Sequence, residues 1–466
     1  MPEMFLVPSF LKMFKSKSGP ILVFFAVVVL YGFHYGRFPR AIEAKTSNIS
    51  TSISDESVIL LNKAYWEQID PSSARIRILA FSQCNASDSV QLKVEDVKIK
   101  SVTKSVEGEC PWHWSPGCDW NSFLIDSVIE LGNMETDEIT VIKNENEVKL
   151  PLVGAPERED GLAVCIPPLY WYADWLRLAF FVETWRANGA SHFYFYVQSI
   201  STSVKSVLDA YVEEGLVTVI DWPLLPKSDD EDPNKSIYRL GHSLSHNDCR
   251  MRVGKKFVAL VDVDEFVLPL KKNNTLVQYL FEKFKAHPLA GSFVFKHKKL
   301  HFPDWPRNND WDNLDWIGNV SASPSTNGPK KSIFIADRAN VVLTHKIRNH
   351  FGIFSEVEIP DDEASLFHSR LNWIQKTESE NSNVLDFFSE NKEKIAKNLK
   401  SKFSIAEKNL LNGLNVNNTI VGTLIVRCLT EWQSLGCKTP FNSCYESVFP
   451  VDEWIISESP STYIVL

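Results

Sequence analysis

Apolar positions between residues 157 and 375 alternate between a strand-like and a helix-like period. Short continuous apolar runs predict buried strands, whereas apolar residues spaced by three and four positions predict amphipathic helices. In chain order, the predicted elements are a strand at Leu162–Ile166 that ends at Pro167-Pro168, a helix carrying Trp171 to Trp185, a strand at His192–Val197, a helix carrying Val204 to Val212, a strand at Leu216–Ile220, a helix at His242–Arg252 and a strand at Phe257–Val261. This order predicts an α/β fold with a doubly wound, mostly parallel sheet.

The segments around this domain show other patterns. Residues 76–156 contain short alternating runs typical of half-exposed strands, which predict a small, β-rich, antiparallel module. Residues 36–75 are polar and rich in Ser and Thr, as in a stem, and residues 376–466 predict a helical extension that contains cysteines. Within the α/β domain, residues 301–330 are rich in Trp, Asp, Asn, Pro and Gly, which predicts a long functional loop.

An uncharged apolar run at residues 21–35 follows several lysines in the segment 1–20. Such a run can cross a thin bilayer, and the lysines before it orient the segment 1–20 toward the cytosol. A cleaved signal peptide is the alternative, but no clear small-x-small cleavage site follows the run. The sequence therefore predicts a cytosolic tail, a transmembrane anchor and a luminal body.

Two further features fit a luminal compartment. Asn-x-Ser/Thr acceptor sites for N-glycosylation occur at Asn48, Asn85, Asn234, Asn273, Asn319 and Asn417. All eight cysteines follow the apolar run and none forms a Cys-x-x-Cys pair, so disulfides are favoured over a zinc site. Proximity in sequence makes Cys110/Cys118 and Cys437/Cys444 candidate bridges, with Cys428 as a further candidate in the C-terminal group.

Three carboxylates follow the strand predicted at Phe257–Val261, at Asp262, Asp264 and Glu265. Open α/β sheets bind ligands at the carboxyl ends of their strands, and a buried carboxylate requires a partner. Mg²⁺ or Mn²⁺, held together with substrate phosphates, is the simplest partner, and a solvated strand end is the alternative. Two other Asp-x-Asp patterns, at residues 230–232 and 310–312, follow no apolar strand. The net charge of −9 and the lack of a Lys/Arg stripe exclude a general nucleic-acid binder.

A neutral imidazole is often a further ligand of such an ion, and His345 and His368 are the candidates. Each can instead be a structural histidine. Glu265 is expected to face away from Asp264 and to orient the loop. The segment 110–120 is predicted to be a stapled loop, and its three tryptophans either pack that loop or stack on a sugar.

A series of phrases over about residues 160–375 resembles glycosyltransferase family 92. These phrases are Leu162-Ala-Val-Cys165-Ile-Pro-Pro168, Phe181-Val-Glu183-Thr-Trp-Arg-Ala-Asn-Gly189, Tyr238-Arg239-Leu-Gly-His-Ser-Leu-Ser-His-Asn247-Asp248-Cys249-Arg250, Val261-Asp-Val-Asp-Glu-Phe266, Lys331-Ser-Ile333 with His345, and Leu366-Phe-His368-Ser-Arg370. The resemblance implies a GT-A fold, a single-pass type II Golgi membrane protein with a luminal catalytic domain, and inverting, metal-dependent transfer from a UDP-sugar to a glycan or glycoprotein acceptor. The activity known in the family makes UDP-galactose the expected donor and fucose on N-glycan cores an expected acceptor.

The resemblance also implies roles for the site residues. Mn²⁺ or Mg²⁺ would neutralise charge on the departing UDP, and its predicted ligands are Asp262, Asp264, His345 and His368. The predicted donor contacts are Asn247, Asp248, Asp262 and Arg239. Helix capping or packing is the alternative role of Asn247 and Asp248.

Inverting transfer also needs a carboxylate base beside the acceptor hydroxyl. The candidates lie in the loop predicted at residues 301–330, here called the Trp-rich loop, and are Asp304, Asp310, Asp312 and Asp315. Cys165 and Cys249 are expected from the resemblance to form a disulfide. The alternative function is a catalytically inactive, membrane-anchored glycan-binding protein of the same fold, and a metal-dependent phosphohydrolase is disfavoured because no second carboxylate-rich strand end is found.

Overall fold

A computed structural model describes residues 58–85, 90–130, 137–270, 274–306, 314–369, 384–410, 418–431, 436–437, 439–458 and 462–466. Residues from Ser57 to Leu466 form one compact unit. The predicted tail at 1–20 and anchor at 21–35 lie outside the described residues. Within the described ranges, we find no helix with the length and apolar character needed to span a membrane.

The strands are β1 Ile59–Asp70, β2 Ser73–Gln83, β3 Gln91–Val94, β4 Val97–Lys100, β5 Val102–Ser105, β6 Trp120–Glu130, β7 Glu138–Lys143, β8 Asn146–Gly154, β9 Glu159–Leu169, β10 His192–Val197, β11 Ser199–Ser201, β12 Val217–Asp221, β13 Lys255–Leu260, β14 Glu265–Pro269, β15 Ala290–His301, β16 Ser321–Ala322, β17 Thr326–Ile335, β18 Ala339–Val342, β19 Ile347–His350, β20 Ser355–Glu358, β21 Ala364–His368, β22 Trp454–Ile456 and β23 Ile464–Val465. The α-helices are α1 Trp175–Ala187, α2 Thr202–Glu213, α3 His242–Arg252, α4 Leu276–Ala286, α5 Val384–Leu410, α6 Asn418–Glu431 and α7 Pro440–Val448.

The central sheet contains ten strands, eight of them in the order β12-β10-β9-β13-β17-β15-β21-β14, with β16 and β20 paired to β15. Its first four strands are parallel, which confirms the predicted β-α-β-α-β-α-β unit. Antiparallel pairs join β13 to β17, β17 to β15 and β21 to β14. The whole sheet is therefore mixed rather than mostly parallel, because strands from the second half of the domain pair with it in both directions, across long separations in sequence.

Strand β9 shows why this sheet is covered on both faces. Alternate side chains of a strand face opposite sides. Leu162 and Val164 pack with α1 and α2, whereas Ala163 and Cys165 pack with α3. The strand also continues through the prolines predicted to end it, with a register shift against β10 where they lie. Proline lacks the N–H group of a regular ladder, so the strand accommodates the pair by a bulge.

The β-rich module forms a second sheet with the order β4-β3-β7-β8-β1-β2-β6-β5, and β23 pairs with β1. Strand β1 lies within the range predicted as a stem, so the folded module begins before residue 76. Its residues Ile59, Leu60 and Leu61 are buried. One pair, β1 with β8, is parallel, so the module is not wholly antiparallel. The C-terminal extension pairs with both parts of the fold: β22 forms a separate two-stranded sheet with β11 of the α/β domain, and β23 pairs with β1 of the module.

All eight cysteines form disulfides, in the pairs Cys84–Cys110, Cys118–Cys437, Cys165–Cys249 and Cys428–Cys444. The expected Cys165–Cys249 bridge is confirmed, and it joins β9 to α3. The candidate bridges Cys110/Cys118 and Cys437/Cys444 are wrong. Cys118 and Cys437 lie 319 positions apart, so their bridge ties the β-rich module to the C-terminal extension.

Candidate active site

The carboxylates after β13 lie in a turn whose backbone is fixed by hydrogen bonds. The Glu265 N–H donates to the Asp262 carbonyl at 3.0 Å, and the Asp262 N–H donates to Glu265 Oε2 at 2.9 Å. The Val261 N–H donates to the Cys165 carbonyl at 3.2 Å, which holds the start of the turn against β9. Glu265 therefore orients the turn, and Asp262 and Asp264 project from a fixed backbone at the carboxyl edge of the parallel strands.

Lys331 of β17 supplies a buried cation to this turn. Its side chain is 2% exposed, and its Nζ lies 3.0 Å from Glu265 Oε2 and 3.4 Å from Asp262 Oδ2. Burial lowers the pKa of Lys331, but Asp262 and Glu265 raise it by more, so its pKa is raised overall. Burial also raises the pKa of Glu265, against the effect of Lys331. The lysine thus compensates a carboxylate that would otherwise be costly to bury.

Asp262 is the more solvent-accessible of the two aspartates, with 41% of its side chain exposed against 25% for Asp264. Burial raises the pKa of Asp262, but Lys331, followed by His368, Arg239 and His345, lowers it by more. Its pKa therefore lies below the ordinary value, and the group is an ionised acceptor at neutral pH.

Asp264 is paired with His368, which β21 brings to the same edge by its antiparallel pairing with β14. His368 Nε2 lies 3.2 Å from Asp264 Oδ2, and the Ser369 N–H donates to the Asp264 carbonyl at 2.7 Å. On the other side of the ring, His368 Nδ1 lies 3.3 Å from His297 Nε2. His297 therefore helps to fix the imidazole plane and leaves Nε2 directed at the Asp264 carboxylate.

The Asp264–His368 pair has the spacing expected of two ligands of one octahedral ion. Ligands bound at about 2.1 Å on adjacent positions lie about 3 Å apart. Across the described part of the chain, however, no group of three or more His, Cys, Asp and Glu side chains is arranged to hold a metal ion. The four predicted ligands thus do not form one cluster there. Two protein ligands suffice for Mg²⁺ or Mn²⁺ when substrate phosphates complete the coordination, so the residues present fit that kind of site.

A group of imidazoles lies around Thr344, and the charge of Asp262 acts on each of them. His242 Nε2 is 2.7 Å and His246 Nε2 is 3.3 Å from Thr344 Oγ1, next to His345. Burial lowers the pKa of His345 to about 4 and of His246 to about 3, so both rings are neutral at pH 7. Neutral rings offer a lone pair to a metal or to a hydroxyl group.

Arg239 is another predicted donor contact, and its charge acts on Asp262. Its backbone adopts the left-handed conformation, with φ of 42°, and the following Leu240 has φ of 59°. Residues other than glycine rarely adopt this backbone conformation, and such strain concentrates at functional sites. The strained turn directs a cation toward the end of β13.

The two other predicted donor contacts from α3, Asn247 and Asp248, are fully buried and engaged within the fold. The Asn247 amide donates to the Val342 carbonyl at 2.9 Å and accepts from the Val342 N–H at 3.2 Å. The Asp248 carboxylate accepts hydrogen bonds from Tyr65, Tyr196 and Arg252. These contacts join α3 to β18, β1 and β10, which is the packing role that the sequence left open. A nucleotide contact by either side chain stays a prediction.

The candidate bases are placed only in part. Asp310 and Asp312 lie outside the described residues. Asp315 lies on the 3₁₀ turn Leu314–Gly318, is 81% exposed and pairs with Lys392 at 2.8 Å. Asp304 accepts a hydrogen bond from the Asn319 amide at 2.5 Å.

Sequence reasoning gave no role to Lys331 or to Arg177, although both contact the site. The Arg177 guanidinium donates to the Ser369 carbonyl at 2.6 Å, pairs with Asp174 at 3.2 Å and lies over the Trp305 ring at 4.6 Å. It therefore supports the residue that hydrogen-bonds Asp264. The available signal for Lys331 was its place beside the apolar run Ser332–Ile335, where a charge needs a partner.

Comparisons with known proteins bear on this arrangement. A family model described as glycosyltransferase family 92 matches residues 160–403, just over half of the chain. The glycosyltransferase family 92 protein F13G3.3 of Caenorhabditis elegans is 22% identical over 304 residues, which cover 64% of this chain and 56% of that protein. The chain thus spans little more than half the length of this curated relative.

Two solved structures show weaker likenesses. TarS 1-349 of S. aureus is 11% identical with a TM-score of 0.22, covering 62% of this chain and 91% of that one. Amylomaltase from Corynebacterium glutamicum is 13% identical with a TM-score of 0.13, covering 40% of this chain and 25% of that one. TM-scores this low do not indicate a shared fold. The family match over residues 160–403 encloses the carboxylate turn, Lys331 and His368, and the chain belongs to glycosyltransferase family 92.

Proposed function

We propose that this chain is a metal-dependent, inverting glycosyltransferase of the GT-A type that transfers galactose from UDP-galactose to a glycan acceptor, with fucose on N-glycans as the leading acceptor. The observation that carries the proposal is the 3.2 Å contact between Asp264 Oδ2 and His368 Nε2 beside the ionised Asp262. The site lies at the carboxyl edge of parallel strands, where open α/β sheets bind nucleotides.

Asp264 and His368 would hold Mn²⁺ or Mg²⁺, with Asp262 and His345 as further ligands, directly or through water. Bound there, the ion would neutralise charge on the diphosphate leaving group. Lys331 keeps Asp262 ionised and in place, and His297 fixes the orientation of His368. Arg239 directs a positive charge toward Asp262, and we propose that these two residues contact the donor, whereas Asn247 and Asp248 pack α3 within the fold.

Inverting transfer requires a base on the far side of the donor sugar, to take the proton of the acceptor hydroxyl. We assign this role to a carboxylate of the Trp-rich loop, among Asp310, Asp312 and Asp315. A carboxylate paired with a lysine must leave that ion pair before it accepts a proton. Because Asp315 is paired with Lys392, Asp310 or Asp312 is favoured as the base.

A location in the Golgi membrane, as a single-pass type II protein with a luminal catalytic domain, is part of the proposal. Four disulfides support an oxidising compartment. Among the predicted glycosylation sites, Asn85 and Asn319 are exposed. Asn234 is buried, and its amide donates to the Leu225 carbonyl at 2.8 Å, so the folded chain does not offer this site for modification.

Calorimetric titration of UDP into the purified protein, with Mn²⁺ and with EDTA, tests the proposal. We expect binding that requires the metal and that is lost in Asp264→Ala, because that change removes one of the two adjacent ligands. Asp315→Ala, at an exposed position, is the control and should retain UDP binding. Equal UDP affinity in Mn²⁺ and EDTA would exclude the metal site. No UDP binding in either condition would favour the glycan-binding protein without turnover.

A further inference from the structure

The loop between Cys110 and Cys118 is held at both ends by disulfides to other parts of the molecule. Cys110 is bonded to Cys84 at the end of β2, and Cys118 is bonded to Cys437 of the C-terminal extension. Within the loop, the Ser115 N–H donates to the Trp112 carbonyl at 2.8 Å and the Cys118 N–H donates to the Ser115 carbonyl at 3.0 Å. The backbone of the loop is therefore a restrained turn.

The three tryptophans of this region have three different environments. Trp120 is 2% exposed, and its indole N–H donates to Glu231 Oε1 at 2.5 Å, so it packs the loop as one reading of the sequence expects. Trp112 is partly buried, and its ring lies 5.6 Å from the Tyr238 ring, edge to face. Trp114 is 60% exposed, so most of its side chain is accessible to a ligand and does not pack the loop.

A chain of side-chain contacts links the exposed aromatic residues to the candidate active site. Trp112 contacts Tyr238, and the Arg239 guanidinium lies 5.5 Å from the centre of that same Tyr238 ring. The Tyr238 ring also lies 5.4 Å from the His242 ring. Arg239 and His242 both interact electrostatically with Asp262. A ligand that reaches from Asp262 along Arg239 and Tyr238 therefore next meets Trp112 and Trp114.

The chemistry of the loop selects the ligand class. Residues 110–120 contain no lysine or arginine, so the loop offers no cation for a phosphate or a nucleic acid. It offers aromatic faces beside a polar neighbour, because the His113 ring lies 5.7 Å from the rings of both Trp112 and Trp114 and is 63% exposed. The apolar C–H face of a pyranose ring packs on an indole, and its hydroxyl groups hydrogen-bond to an adjacent imidazole.

We propose that Trp112, His113 and Trp114, here called the aromatic platform, bind the glycan acceptor of the transferase, with a pyranose ring stacked on Trp114. The proposal rests on the proposed function for the position of the donor, and it assigns acceptor recognition to the β-rich module rather than to the α/β domain. The platform would hold a sugar residue beyond the one that receives the transferred hexose.

The test measures binding of a fluorescently labelled glycopeptide, carrying a core-fucosylated N-glycan, to wild type, Trp114→Ala and Trp114→Phe. Removal of the stacking face is expected to weaken glycopeptide binding about tenfold, and phenylalanine should restore most of it. Ile353→Ala is the matched control, because Ile353 is 74% exposed on another loop, and it should bind as wild type does. With UDP-galactose as donor, Trp114→Ala should raise the KM for the glycopeptide and leave kcat unchanged.

UDP binding, measured by calorimetry on the same variants, separates this inference from the proposed function. If Trp114→Ala weakens glycopeptide binding and retains UDP binding, both the aromatic platform and the proposed transferase function are supported. Trp114-dependent glycopeptide binding in a protein that does not bind UDP supports the platform and overturns the transferase. Equal glycopeptide affinity of wild type and Trp114→Ala overturns the platform, as does a wild-type protein that does not bind the glycopeptide, whatever the UDP titration shows.

Discussion

Replacing Glu107 by glutamine should change how the free energy of unfolding depends on pH. The Glu107 carboxyl group lies beside Ser243 at the start of α3, and its Oε2 is buried with no hydrogen-bond partner among the described residues. Burial raises its pKa from 4.5 to about 7, against the effects of Ser243 and Arg348. The Arg348 guanidinium is directed instead at the carbonyl groups of Ser105 and Val106, at 2.6 and 2.8 Å.

Proton linkage determines whether the free energy of unfolding rises or falls with pH. Between pH 4.5 and 7 the unfolded chain has released the Glu107 proton while the folded chain retains it, so stability falls as pH rises across this window and is then level. At 1.36 kcal/mol for each pKa unit, ionising Glu107 in the fold lowers the free energy of unfolding by about 3 kcal/mol above pH 7. About 2.5 kcal/mol of this loss develops between pH 5 and pH 8. For a unit of roughly 400 residues, this difference corresponds to about 3 °C in Tm.

Thermal unfolding of the purified protein at pH 5 and pH 8 measures this effect. The change in Tm caused by Glu107→Gln should be about 3 °C more favourable at pH 8 than at pH 5, since glutamine carries no charge to bury. Glu109→Gln, on the same loop and 75% exposed, should show no such difference. A change in Tm that is the same at both pH values, or less favourable at pH 8, would refute the raised pKa and show that Glu107 is ionised in the fold.

Two further substitutions test the buried charges. Lys331→Met should lower the free energy of unfolding by about 3–5 kcal/mol in chemical denaturation, because Glu265 loses its buried partner. Adding Glu265→Gln to this variant should recover part of the lost stability. If the losses caused by the two single substitutions simply add in the double variant, the ion pair is contradicted. Asp248→Asn should lower Tm, because Arg252 loses its partner, while UDP affinity at a temperature where the variant is folded stays that of wild type. Reduced UDP affinity at unchanged Tm would instead support the nucleotide contact predicted for Asp248.

The parallel half of the sheet was predictable because its signals are local. Strand β10 has the bounds that its apolar run predicts, and it pairs with β9 and β12, the strands before and after it in the chain order of this sheet. The polar Ser/Thr-rich composition of residues 36–75 concealed β1, whose apolar positions are paired with β2. A composition average over a long segment hides a strand that occupies its end.

The disulfides were predicted correctly only where the resemblance supplied a pair. Cys110 and Cys118 are eight positions apart on one loop, yet each bonds to a cysteine outside it. Connectivity depends on which elements lie together in the fold, and sequence separation carries little information about that. The same limit applied to the tryptophans of the loop, because the sequence alone could not show that Trp114 is exposed while Trp120 is buried.

The carboxylates of the site illustrate the limit most clearly. In the sequence, Asp262 and Asp264 are equivalent members of one Asp-x-Asp pattern. The antiparallel register pairs Ala259 of β13 with Ile333 of β17, so Lys331, two positions earlier in β17, lies just beyond the end of β13 and next to Asp262. The register of β14 with β21 likewise places His368 beside Asp264.

These two long-range pairings make the carboxylates chemically different. Asp262 is held by a buried ammonium group and remains partly exposed, so it is available to groups that enter from solvent. Asp264 faces an imidazole that is itself held by His297, which is the arrangement of a ligand pair with a supporting neighbour. The local pattern therefore identified the carboxylate turn, while the non-local strand register determines that Asp264 lies beside the imidazole of His368 and Asp262 beside Lys331.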